Sequence, residues 1–400
     1  MVPHPRADDA RGPAAGAPGV LGPARDLKRA APASDELPVT TAPQSVIPLL
    51  HALASSGGSD LHCKVGSAPR LRVDGRLRRL QVPDLVATDT QAMVAEVLPP
   101  ELTEEYAVKH EADFAYSLSG VGRFRANVYR ARGTDALVFR RVAMGAQPLE
   151  ELGIPAVVGD LALEPRGLVL VTGPTGTGKT TTLASMVDLI NSLRDVNIIT
   201  IEDPIEVLHR DKKAIVSQRE VRYDTADFAV ALRAAMRQDP DVILVGEMRD
   251  TETVRAALTA AETGHLVMST LHTIDAQETI NRIVDFFPPH EQLQVRGALA
   301  QSLRGIVSQR LIRKADGSGR IPAVEVMINT GRTAEAIVAP LDSAPIADLI
   351  ADGSYDRMQT FDQHLQEMVA AGTVTYDDAI SAASNPQDLT VALRAAGVIR

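Results

Sequence analysis

Gly167-Leu168-Val169-Leu170-Val171-Thr172-Gly173-Pro174-Thr175-Gly176-Thr177-Gly178-Lys179-Thr180 is the stretch from which the rest of the chain can be read. Its first half is an unbroken apolar run, as a strand buried on both faces requires. Its second half matches the phosphate-binding loop pattern in full. Glycines there let backbone N–H groups turn inward around phosphate oxygens. Beyond the loop, Leu183, Met186, Val187 and Ile190 recur at helical spacing. A helix starting there points the positive end of its dipole at the same phosphates. Gly173, Pro174, Thr175, Gly176, Thr177, Gly178, Lys179, Thr180 and Thr181 are therefore the candidate ATP-binding residues. In this loop the lysine reaches the β- and γ-phosphates, and the Thr180 hydroxyl is the expected Mg²⁺ ligand.

Working outward, Asn197 to Ile201 reads as a strand, Phe228 to Arg237 as a helix and Val242 to Val245 as a third strand. Val254, Ala257, Leu258 and Ala261 mark a helix that stops at Gly264, and Leu266 to Ser269 is a further strand. Strands alternating with helices predict a parallel sheet covered on both faces, with ligands at the carboxyl ends of its strands. Val242-Ile243-Leu244-Val245-Gly246-Glu247 is an apolar strand ending in an acid, the Walker-B arrangement. Many P-loop enzymes carry Asp where Gly246 stands, so Glu247 is the acid left to act on the metal, through water, beside Thr180.

Composition bounds the rest. The 400 residues suit two domains, and 45% hydrophobic with 23% charged residues is ordinary globular usage. Lys plus Arg total 41 against 51 Asp plus Glu, a net −10 with no basic block, which argues against a reader of nucleic-acid backbones. Cys63 is the only cysteine, so an intramolecular disulfide and a multi-cysteine metal site are impossible. It reads as a small buried hydrophobe. No apolar run has a membrane-spanning length. Arg6 and Arg11 have no apolar segment behind them, so no secretory signal is expected and the compartment reads as the cytoplasm. Residues 1–42, rich in Pro, Ala and Gly, are expected to be a disordered tail.

Residues 43–143 read as a small α+β domain. Leu61 to Val65 and Leu71 to Val73 look like strands, and Asp74-Gly75 is a hairpin signal before Arg76 to Leu80. A helix around Thr90 to Val97 follows, then strands at 112–118, 121–130 and 136–142. Residues 144–155 read as a linker, 156–390 as the nucleotide-binding domain with a helical C-terminal region, and 391–400 as a tail.

Arg237, Pro240-Asp241, Gly246-Glu247 and Arg249-Asp250 together resemble the signature of the secretion and pilus ATPases, the superfamily of PilT, PilB and GspE. Thr200-Ile201-Glu202-Asp203-Pro204-Ile205-Glu206 is similar to that family's acidic "Asp box". Ala261 to His265 and Ser269 to Thr273 are similar to its "His box". The resemblance covers roughly residues 45 to 390. It implies a RecA-like ATPase domain with a parallel sheet, preceded by a PAS-like α+β domain. It assigns Glu206 as the base that accepts a proton from the attacking water, a role usually worth about 10²–10⁴-fold. Turn capping is an equal alternative for Glu202 and Asp203. His272, ending a strand, is placed to read the γ-phosphate, with a structural histidine as the rival reading; for His265 the two readings stand even.

Subunits of this family form hexameric rings with ATP at the junction of domains and neighbours. Such a junction needs positive charge, and an arginine finger can supply about 10³–10⁵-fold. Arg123 and Arg125 fall on one face of a strand by its period of two, and Arg130 follows at the strand's end. A solvated basic face is the alternative for each. One cysteine cannot supply the tetracysteine zinc segment usual in PilB- and GspE-like members, and Met358-Gln359-Thr360-Phe361-Asp362-Gln363 resembles a PilT-type stretch. One departure is plain. Where PilT-type members carry Ala-Ile-Arg-Asn-Leu-Ile-Arg-Glu, this chain has Pro345-Ile346-Ala347-Asp348-Leu349-Ile350-Ala351-Asp352, with alanine at both arginine positions. The resemblance thus implies an ATP-hydrolysing hexameric motor of type IV pilus retraction and twitching motility. It would act in the cytoplasm at the inner face of the membrane. Its partners would be an inner-membrane pilus platform protein and a second, PilU-like ATPase, with no nucleic acid. A PilU-like accessory motor or an ATPase of another pilus or type II secretion-like system is the alternative. A nucleotide-sensing scaffold and a DNA-translocating ring are rivals from other classes, the first opposed by Lys179, Glu206 and Glu247, the second by the net charge.

Overall fold

The computed structural model describes residues 36–37 and 44–399. The tail expected over 1–42 lies outside them except for Glu36–Leu37. That pair forms a short strand, β1, parallel to Arg79–Leu80. With β2 (Asp60–Lys64), β3 (Arg70–Val73), β4 (Arg76–Leu80), β5 (Glu111–Leu118), β6 (Gly122–Ala131) and β7 (Thr134–Arg141) it makes a seven-stranded sheet in the order β1-β4-β3-β2-β7-β6-β5. Asp74 and Gly75 both have positive φ, 50° and 77°, which is the tight hairpin their dipeptide predicts. Leu61, Leu71, Phe124 and Phe139 pack from the sheet against Leu50 and Met93 of two helices. Cys63 lies in the same core. Burial pushes its thiol up to about 12, so it is the inert hydrophobe expected.

The second body holds β8 (Ala143–Met144), β9 (Gly167–Thr172), β10 (Asn197–Glu202), β11 (Val207–Leu208), β12 (Ile215–Glu220), β13 (Val242–Val245), β14 (Leu266–Leu271), β15 (Leu303–Arg313) and β16 (Arg320–Ile328). Seven of these form one sheet in the order β12-β10-β13-β14-β9-β15-β16. It is parallel throughout except for β16, which pairs antiparallel to β15. β9, β13 and β14 are buried at every residue. Along β9 the side chains alternate between two cores. Leu168 and Leu170 join Ile201 and Val245 on one face, and Val169 and Val171 join Leu183, Met186 and Val187 on the other. The parallel α/β sheet read from the sequence is present, and β12, β15 and β16 extend it beyond that reading. The linker expected over 144–155 is not wholly free, because Met144 sits in β8, which pairs parallel to β11.

At the C-terminal end, Phe361, Leu365, Ala379, Leu389 and Leu393 of three helices cover Ile312 and Ala323. Residues 391–400, expected as a tail, begin inside the last of these helices, Pro386–Ala395, with Leu393 fully buried. Apolar spacing carries the helix past the expected boundary. The Arg310 guanidinium stacks 3.8 Å from the Phe361 ring centre and donates to the Ala382 carbonyl at 2.6 Å, tying these helices to β15. The segment that departs from the family stretch forms a helix, Ile346–Ala351, burying Ile346, Leu349 and Ile350 while Ala347 and Ala351 face solvent. Among the described residues no helix is long and apolar enough to cross a membrane.

Glu325, on β16, is buried and accepts the Ala276 N–H at 2.9 Å. Burial raises its carboxyl from 4.5 to about 7. A carboxyl that binds its proton more tightly when folded stabilises the fold below the unfolded value. That contribution is lost as pH rises through the window up to the folded value. We expect denaturant titrations to show wild type losing on the order of 3 kcal/mol from pH 4.5 to 7, relative to Glu325→Gln. Parallel stability curves for the two proteins would contradict this.

Candidate active site

Parallel register places the ends of β9, β10, β13 and β14 along one edge. Thr172, Glu202, Val245 and Leu271 are their last residues, so the phosphate loop, the 203–206 segment, Gly246-Glu247 and His272 emerge side by side. Gly173 leaves β9 with φ 141°, and a Cβ there would lie 2.5 Å from the Gln309 carbonyl oxygen and 2.7 Å from Thr177 Oγ1. Only glycine fits that close approach. Gln309 also exchanges hydrogen bonds with Thr182 of the following helix, so β15 braces the loop from below. Gly178 caps the helix Lys179–Leu193 in the left-handed region.

Lys179 is buried, and its Nζ donates to the carbonyls of Gly173 at 2.7 Å and Pro174 at 3.1 Å. Burial draws its ammonium below the usual lysine range, and Glu247 opposes that shift. The same Nζ lies 3.4 Å from His272 Nδ1, while His272 Nε2 lies 3.0 Å from Glu247 Oε1. A neutral imidazole carrying its proton on Nε2 satisfies both contacts. Glu247 Oε2 pairs with Arg249 Nη2 at 2.7 Å, and that carboxylate holds the guanidinium above its usual value. Lysine, imidazole, carboxylate and guanidinium thus form one continuous chain beside the loop. At Gly246 a Cβ would press to 3.2 Å from the Ile201 carbonyl, which accounts for glycine where an acid often stands.

Glu202 is half-buried. It accepts from Thr200 at 2.7 Å and Gln218 at 3.0 Å, and burial raises its carboxyl above the usual range. Through Thr200 and Gln218 it ties the ends of β10 and β12, and the backbone of Glu206 also bonds its carboxyl, so it holds the turn as the capping alternative expects. Asp203 is exposed, 4.0 Å from Arg222. Glu206 is exposed and lines a cleft of about 650 Å³ together with Thr175, Gly176, Gly178, Lys179, Thr180, Thr181, Glu247 and His272. Gly173, Pro174 and Thr177 do not line it; Gly173 and Thr177 are buried within the loop and Pro174 is exposed. His209, Phe228, Leu311 and Arg320 also line the cleft. Sequence reasoning passed over all four, because three come from segments with no motif and Phe228 reads as an ordinary helix residue. His265 is at the opposite end of β14, away from the cleft, with Nδ1 2.9 Å from the Ala260 carbonyl.

The three candidate arginines lie outside the cleft. Arg123 pairs with Glu220 at 2.8 Å and Arg130 with Asp135 at 3.5 Å. Arg125 is exposed, makes no side-chain bond among the described residues, and lines a groove between the two bodies with Asp203 and Arg222. A hydroxyl at Thr180 and a single carboxylate at Glu247 suit Mg²⁺, which keeps several waters and takes its remaining ligands from phosphates.

The family described as "Type II/IV secretion system protein" matches residues 49–375. The type IV pilus retraction ATPase PilT of Pseudomonas aeruginosa is 45% identical over 344 residues, 85% of this chain and 98% of that protein. The type IV pilus ATPase PilU of the same organism is 39% identical over 346 residues, 86% of this chain and 90% of that protein. A crystal structure of the pilus retraction motor PilT with bound ADP superposes with a TM-score of 0.76 at 44% identity, covering 86% of this chain and 98% of that one.

Removing the lysine isolates its contribution. We expect Lys179→Ala to lower phosphate release from ATP at least about a hundredfold, the usual cost of losing one preorganised donor. Near-normal turnover by the purified variant would overturn the assignment of this cleft.

Proposed function

The chain belongs to the type II/IV secretion system protein family, and we infer that it is an ATP-hydrolysing motor of type IV pilus retraction. The observation that carries this reading is a complete phosphate loop on a doubly buried strand, facing Glu206 and Glu247 across one cleft. Loop N–H groups and Lys179 hold the β- and γ-phosphates, and Lys179 exchanges its carbonyl partners for phosphate oxygens. Thr180 and, through water, Glu247 would hold Mg²⁺, which would supply positive charge against the phosphates. His272, held by Glu247 at Nε2, turns its Nδ1 lone pair to the Lys179 ammonium and so orients that cation beside the loop. Glu206 accepts the proton of the attacking water, and its exposure in the cleft leaves both carboxylate oxygens open to that water.

Six copies form a ring, and Arg125 is the arginine best placed to serve a neighbour, because it is exposed and unpaired. The ring acts on the cytoplasmic side of the inner membrane against the platform protein that carries the pilus. Domain rotation on hydrolysis is the working stroke. A second, PilU-like ATPase is a natural companion.

Two measurements test this assignment. Glu206→Gln keeps shape but removes the base, so ATP should bind normally while turnover falls about 10²–10⁴-fold. Wild-type rates from that variant would make Glu206 structural. Arg125→Ala should lower turnover with ATP affinity nearly kept, since a finger acts on transition-state charge. Mixed with Lys179→Ala, itself inactive, it should recover part of the activity, because a mixed ring places an intact loop beside an intact arginine. A mixture no more active than its parts would refute shared sites.

A further inference from the structure

Glu220 ends β12, directly beside Glu202 in the parallel register of β10 and β12. Its carboxylate is 8% exposed and pairs with the Arg123 guanidinium, itself 19% exposed, at 2.8 Å. The same oxygen, Oε2, accepts the Ile205 N–H at 3.3 Å. Arg123 belongs to β6 of the N-terminal body, whereas Ile205 directly precedes Glu206. One oxygen therefore joins the two bodies to the backbone that carries the proposed base.

Further contacts gather around the same segment. Gln218, two residues back on β12, accepts the His209 N–H at 2.8 Å and donates to the Val207 carbonyl at 2.8 Å. Val207–Leu208 pairs with Ala143–Met144, where the chain leaves the N-terminal body. The turn after Glu220 is held by Asp224, and Tyr223 reaches across to the Ala115 carbonyl at 3.1 Å. Glu206 is thus clamped before and behind by elements fastened to the N-terminal body. A buried carboxylate needs a counter-charge, and withdrawing Arg123 would leave Glu220 uncompensated beside the half-buried carboxyl of Glu202.

We propose that Glu220 is a positioning residue for Glu206, and that its pairing with Arg123 makes hydrolysis depend on where the N-terminal body sits. The inference rests on Glu206 being the base. When the N-terminal body carries Arg123 away, the 203–206 segment loses its anchor and the base loses its aim. When the body returns, the ion pair restores both. Arg123 then acts within its own subunit, which leaves Arg125, one step along the same strand face, for a neighbour.

The test is a double-mutant cycle on the full chain, with kcat, KM for ATP and melting temperature read for each protein. Glu220→Gln and Arg123→Gln should each lower kcat on the order of tenfold, the scale of a misaligned catalytic group, with KM changed less than about twofold. The double variant should fall no further than the worse single one. Glu220→Asp and Arg123→Lys, which keep the charges, should retain most of kcat. Unchanged kcat in the single variants, defects that multiply to about a hundredfold, or losses in the charge-keeping variants equal to those of the Gln variants would each overturn the proposal. If Glu220→Gln melts well below wild type, Arg123→Gln against Arg123→Lys decides alone. Glu206→Gln separates the two readings. Full turnover there removes the base, whereas an inactive Glu206→Gln beside fully active Glu220→Gln and Arg123→Gln removes only the coupling.

Discussion

Strands β9, β13 and β14 are covered by side chains on both faces, so their backbone donors and acceptors have partners only within the sheet. Where the ladder stops, at the carboxyl edge, the chain must turn and find new partners for its polar groups. The phosphate loop is that turn after β9. Its N–H groups and the start of the helix at Lys179 are left facing outward, an arrangement that favours anions. Every other group of the site arrives at the same edge because its strand is parallel and in register. The chemistry is therefore a consequence of burial: an apolar sheet forces its polar loose ends to one place.

Charge within that place is balanced largely by neighbouring protein groups. Lys179 loses hydration on burial, and two loop carbonyls and the edge of His272 replace it. Glu247 holds His272 on one side and Arg249 on the other. An anion arriving at the loop alters this chain at its lysine end. Each member is the partner of the next, and the chain of contacts ends at Arg249, which is exposed at the rim. Exposed ion pairs contribute little stability alone. The Arg249–Glu247 contact matters instead because it fixes the orientation of a carboxylate beside the phosphates.

How much of this was legible beforehand follows from how local each feature is. The loop, the strand–acid Val242–Glu247 and the Asp74-Gly75 hairpin are each complete within a few residues, and all three stand in the structure as read. β12 was not, since Ile215–Glu220 is a polar edge strand whose burial is confined to part of one face. β15 and β16 mix arginines with apolar residues, and their pairing is visible only once Phe361 and Leu365 are seen to cover them. Gln309 and Gln218 carry no motif at all, yet one braces the phosphate loop and the other the segment holding Glu206. Arg123 reads as a candidate to reach a neighbour's nucleotide, and no local pattern could join it to Glu220, which lies 97 residues away along the chain.

That last separation bears on how a ring of such subunits could convert chemistry into movement. A base carried on a rigid strand would work equally well in every arrangement of the two bodies. Glu206 is instead exposed on a segment hung between β12 and the connecting strand β8, both of which answer to the N-terminal body. Two arginines one strand period apart then have different surroundings: Arg123 is enclosed and paired within its own subunit, and Arg125 is open and unpaired. A movement that slides β6 along the groove between the bodies changes both environments at once, because the two side chains share one face of one strand. Coupling of that kind needs no long pathway, only one strand whose displacement changes the partners of both arginines.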